Sequence, residues 1–216
     1  MRELLVHPRT KKQIEMFAQS PSHALLIVAP PGSGKLTLAQ YIATELLGFG
    51  SALQLQNYPY FTHIKRPDAK QDISIDSVRE LNKLLRLKVP GSSQIRRVIV
   101  IENAHDLNEE AQNAMLKMLE EPAPGCVFIL TAASTESLLP TIASRAQQLH
   151  VQPIKLSDAS KQLSSSYGQK QIENAWNLSQ GSAGLMLALL KDDKDHPLKK
   201  AIEDAKNYLR KDRYER

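Results

Sequence analysis

The sequence predicts an α/β fold, a parallel sheet covered by helices on both sides, followed by a small all-helical domain. Three observations lead there. The apolar runs Ala24 to Ala29, Val98 to Ile101 and Val127 to Leu130 are continuous rather than alternating, as in parallel strands buried on both faces. Helical stretches separate them, so strand and helix alternate along the chain. Beyond Pro153 the pattern turns helical throughout, which sets a domain boundary at that point.

In order, residues 8–19 read as a helix with Pro8 near its start and Ile14, Phe17 and Ala18 on one face. Ser20-Pro21-Ser22 leads into the first strand. A loop over Pro30 to Gly34 opens a helix from Leu36 to Leu47, with Leu38, Ile42 and Leu46 recurring every four residues, closed by Gly48-Phe49-Gly50. Residues 51–72 give only a short strand around Phe61 to Lys65. Asp76 is the expected N-cap of a helix carrying Val78, Leu81, Leu84 and Leu85. Val98 to Ile101 is the next strand, and Asp106 with Glu109 forms an expected capping box for a helix ending before Pro122. Val127 to Leu130, a short helix over Ser137 to Ala143, and Gln147 to Val151 complete the sheet. Arg96-Arg97 and Lys199-Lys200 are expected on solvated faces, the Met115, Met118, Leu119 stripe and Trp176 in cores.

Composition narrows the function classes. The chain has 216 residues, 42% of them apolar and 24% charged, ordinary for a soluble globular protein. No apolar run is long enough to span a membrane, and the first residues lack the core of a secretory signal. Cys126 is the only cysteine, so no internal disulfide or cysteine-based zinc cluster can form, and a cytoplasmic setting is expected. The six histidines lack metal-ligand spacing, so no metal site is predicted. A net charge of +5 permits contact with nucleic acid without establishing it.

The motif that organises the chain is APPGSGKL, a degenerate Walker A loop between strand and helix. Gly32, Gly34 and Lys35 match GxxxxGK[ST]; Ala29 replaces the first glycine and Leu36 the final Ser/Thr. Pro31, Gly32, Ser33, Gly34, Lys35, Leu36 and Thr37 are therefore the candidate nucleotide-binding residues of a cradle that has lost part of its chemistry. Leu36 has no hydroxyl for Mg²⁺. Thr37, one residue on and about 100° around the helix, cannot replace it.

With ISIDSVRELNKLL, VIVIENAHDLNEEAQNAMLKMLEEP, FILTAASTESLLPTIASRA and LSQGSAGLMLALL following in order, nearly the whole chain resembles the delta-prime subunits of bacterial DNA polymerase III clamp loaders, members of the AAA+ family. The resemblance implies an AAA+ P-loop domain over 1–153, a helical lid over 154–207, and a charged tail, or the start of a C-terminal collar domain, over 208–216. It implies that Glu102-Asn103 stands where the Walker B Asp-Glu pair would be, and Asn103 has no carboxylate to act as general base. Ala132 falls at a sensor position that usually carries a hydroxyl, with Thr131 beside it but on the other face, and Gly184 falls where the lid usually carries an arginine. Arg145 of Ser144-Arg145 matches the arginine finger offered to a neighbouring subunit. The single cysteine departs from family members that carry a four-cysteine zinc module, so no zinc is expected.

The function implied is that of a stator: a non-catalytic subunit of the polymerase holoenzyme. ATP in the cradle is left open, and hydrolysis is not expected. The implied partners are gamma/tau-type ATPase subunits, a delta-type subunit, the sliding clamp and, through the complex, primed DNA; no membrane is involved. The alternatives are an active gamma/tau-like ATPase, against which Leu36 and Asn103 argue, and a simple DNA-binding module of moderate basicity.

Overall fold

The computed structural model describes residues 4–191 together with 201, 202, 204, 205 and 207. These fall into two compact units, one formed by 9–30 and Lys35–Val151, the other by 4–8, Pro31–Gly34 and the described residues from Gln152 on.

The first unit is built on a five-stranded sheet, every strand pair parallel. Its strands are β1 (Ala24–Val28), β2 (Phe61–Ile64), β3 (Arg97–Ile101), β4 (Cys126–Ala132) and β5 (Gln147–His150), in the order β2-β3-β4-β1-β5. All residues of β1, β3 and β4 are buried, which is why their sequences are unbroken apolar runs. The first unit's helices are α1 (Pro8–Gln19), α2 (Lys35–Leu46), α3 (Ala52–Gln56), α4 (Ile75–Leu85), α5 (Glu109–Glu120) and α6 (Pro140–Ala143). Leu26, Ile99 and Phe128 share a core with Val78 and Leu81 of α4 and with Met115, Met118 and Leu119 of α5. Burying each of these large apolar side chains contributes about 1.5–3 kcal/mol.

Several local expectations are corrected. Helix α3 was not foreseen; Ser51 caps it, its hydroxyl accepting from the Gln54 N–H. Ser74, not Asp76, precedes α4; Asp76 lies in the first turn and pairs with Arg79 at 3.0 Å. Asp106 and Glu109 make no capping box, because Asp106 ends a 3-10 turn (Ala104–Asp106) and Asn108 caps α5, its side chain accepting from the Ala111 N–H at 2.9 Å. The segment expected as one helix from Ser137 is a 3-10 turn, Thr135–Ser137, followed by the four-residue α6. Arg97 is buried rather than solvated: its guanidinium donates to the Leu87 carbonyl at 3.1 Å and lies 5.8 Å from the Tyr60 ring centre. Both contacts come from outside β3, across the loop after α4 and from the residue before β2, so the strand's own pattern does not announce them.

The second unit contains α7 (Leu156–Leu163), α8 (Gln169–Ser179) and α9 (Ala183–Leu190). Their apolar faces enclose Ile154, Ala159, Leu163, Ile172, Ala175 and Met186, with Leu5. Trp176 packs against this core and donates its indole N–H to the Ile154 carbonyl at 2.8 Å. Lys199-Lys200, expected on a solvated face, and the tail 208–216 lie outside the described residues. Among the described residues no helix is long and apolar enough to cross a membrane.

Candidate functional site

Strand β1 delivers its C-terminal end to the degenerate Walker A loop, at the sheet edge where parallel α/β folds bind ligands. Gly32 and Gly34 have φ of 80° and 83°, a left-handed backbone that favours glycine. Lys35 is the first residue of α2 and only 8% exposed. Its ammonium donates to the carbonyls of Ala29 at 2.8 Å and Pro30 at 3.1 Å, so it is committed to its own loop. Burial lowers its pKa, with the Glu102 carboxylate pulling the other way. Pro31 and Thr37 are exposed, and Gly32, Ser33, Gly34 and Leu36 half-buried.

The loop is also in contact with the start of α9. The Leu185 N–H, one of the donors that a helix start leaves without an intrahelical partner, donates to the Gly32 carbonyl at 2.8 Å. Gly184 lies so close that a Cβ there would stand 2.4 Å from the Gly32 carbonyl oxygen and 2.6 Å from the Gly34 nitrogen. The space between loop and helix cannot hold a methyl group. Lys35 is tied to backbone carbonyls, Leu36 brings no hydroxyl, and α9 stands against the loop backbone.

At the end of β3, Glu102 is engaged from the side by His63 of β2, Nε2 to Oε2 3.0 Å. Asn103 has φ of 49°, a left-handed backbone that asparagine tolerates better than most residues. Its N–H donates to the Thr131 hydroxyl at 2.8 Å. Thr131 is buried, and its hydroxyl reaches the Walker B end of the sheet rather than pointing away from it as expected. Ala132 is buried too, its carbonyl accepting the Ala29 N–H at 3.2 Å. Among the described residues no three of His, Cys, Asp and Glu cluster as a metal site.

Arg145 lies elsewhere on the first unit, just past the C-cap Ser144 of α6. Its side chain is 35% exposed; Nη1 donates to the Thr141 carbonyl at 2.9 Å and Nη2 to Oε1 of Glu120 at 2.7 Å. Sequence reasoning missed Glu120, His63 and the Thr131 hydroxyl as site neighbours. For His63 the only sequence signal was its place in a short strand before a polar loop; its pairing with Glu102 depends on β2 lying beside β3.

The family described as DNA polymerase III, delta subunit, matches residues 7–155. The delta-prime subunit of Haemophilus influenzae is 30% identical over 87% of this chain and 59% of its own length. That of Escherichia coli is 31% identical over 79% of this chain and 55% of its own. The chain thus spans a little over half the length of these relatives. Among solved structures, a gamma subunit-related protein of Thermotoga maritima superposes with a TM-score of 0.58 at 18% identity, over 82% of this chain and 69% of that one. A family match over more than half of the chain, on this parallel sheet with its degenerate loop, gives the assignment: the chain belongs to the delta-prime subunit family of DNA polymerase III and has the AAA+ fold.

Proposed function

We propose that the protein is a stator of a DNA polymerase III clamp loader, one that hydrolyses no ATP itself and completes the active site of a neighbouring gamma/tau-type ATPase subunit with Arg145. With a delta-type subunit, the complex would open a sliding clamp and place it on primed DNA in the cytoplasm. Residues 1–153 would form the AAA+ domain and 154–207 the lid.

The observation that carries this is Arg145, which is partly exposed and, among the described residues, makes two hydrogen bonds from its guanidinium. An arginine finger needs those spare donors to meet charge developing on a transferring phosphoryl group, and it needs no working site in the subunit that offers it. Support for a silent site comes from several independent losses: no hydroxyl at Leu36, no carboxylate at Asn103, a glycine at 184, and Lys35 turned to its own carbonyls.

The test is ATP turnover by the complex reconstituted with gamma/tau-type and delta-type subunits. Arg145→Ala should lower turnover at the served site by about 10³-fold, with assembly intact by size-exclusion chromatography. Loss of assembly with unchanged turnover per complex would make the arginine structural. Substantial Mg-ATP turnover by this chain alone, abolished by Lys35→Ala, would favour an active ATPase instead.

A further inference from the structure

We propose that Glu120 is a positioning residue for the Arg145 guanidinium, holding it in the orientation in which it is offered to a neighbouring subunit. This rests on the finger reading of Arg145. Glu120 is the last residue of α5, and its Oε1 accepts from Nη2 at 2.7 Å, the short distance of a charge-assisted bond. The Thr141 carbonyl takes Nη1 from a second direction, so the planar fork is fixed at two points from within its own unit. A guanidinium has five N–H donors, and the two partners found among the described residues leave three for a phosphate group.

An ion pair whose side chains are 35% and 47% exposed adds little to stability, so its effect is geometric. A long arginine chain free in solvent must be ordered anew each time it meets its target, whereas one already held loses less freedom at that step. Glu120 reaches Arg145 across 25 residues of sequence, and Pro122, by stopping α5, fixes where its carboxylate stands.

The experiment compares Glu120→Ala, Glu120→Gln, Arg145→Ala and the double variant Glu120→Ala/Arg145→Ala, each in the full chain and in the reconstituted complex, reading kcat, KM for ATP and assembly. Glu120→Ala should lower kcat by about tenfold, within the range that misplacing a reacting group produces, with KM and assembly unchanged. Glu120→Gln, of the same size and still an acceptor, should recover part of that loss. The double variant should be no slower than Arg145→Ala alone. Full turnover by Glu120→Ala while Arg145→Ala is slow would overturn this inference and leave the finger standing, as would a Glu120→Ala loss that multiplies in full onto that of Arg145→Ala. Unchanged turnover in Arg145→Ala would overturn both.

Discussion

The phosphate loop and the Arg145 turn differ in where their polar groups are satisfied. In the loop, Lys35 donates to the carbonyls of Ala29 and Pro30, and the Gly32 carbonyl accepts from Leu185 of α9. At the turn, Arg145 spends two donors on its own unit and keeps a third of its side chain exposed. A site that has ceased to bind a ligand need not leave a hole; its donors and acceptors can find one another. A site that still serves a partner must keep some of them unspent. The contrast is the one the proposed reading calls for, a silent loop and a turn that serves a neighbour.

Substitutions should therefore cost stability at the loop and function at the turn. The largest expected stability effect is at Gly184. Gly184→Ala puts a methyl group against the Gly32 carbonyl and the Gly34 nitrogen and should destabilise the chain by about 3 kcal/mol, at the upper end of overpacking costs; urea unfolding measures it. Wild-type stability in that variant would mean that the loop and α9 separate easily, and the contrast would break.

Lys35→Ala comes next. It leaves two carbonyls without their donor and removes a buried charge, a net loss of about 1 kcal/mol near neutral pH. A lowered folded-state pKa means that, between that value and 10.5, the unfolded chain binds the proton and the folded chain does not. Lys35 therefore makes stability rise with pH across that window. Unfolding measured at stepped alkaline pH should show the rise in wild type and its loss in Lys35→Ala. The smallest effect is expected at the turn, where Arg145→Ala should alter the stability of the isolated chain by no more than about 0.5 kcal/mol. A larger loss by the same denaturation assay would mark the arginine as a structural pair.

The strands of the sheet centre were legible because burial on both faces writes itself as an unbroken apolar run, as in Val98-Ile99-Val100-Ile101. Helix α1 was legible from Pro8 and the spacing of Ile14 and Phe17. Caps were harder: Asp76 and Asp106 are good capping residues by type, but Ser74 precedes α4 and Asn108 caps α5. The five residues of α3 are too few to show a helical period. At the candidate site, the missing hydroxyl at Leu36 and the missing carboxylate at Asn103 were readable from the motif. The Gly184 approach, the His63–Glu102 pair and the Glu120–Arg145 pair were not, since each joins segments far apart in sequence.

The left-handed backbone of Asn103 bears on evolutionary reversal. A change restoring a glutamate there would place a residue without asparagine's tolerance at φ of 49°, a strain of about 1–2 kcal/mol. It would arrive without a hydroxyl at position 36 to accompany it. A carboxylate at this position would thus come with a cost in stability and without the hydroxyl that a magnesium site would also need.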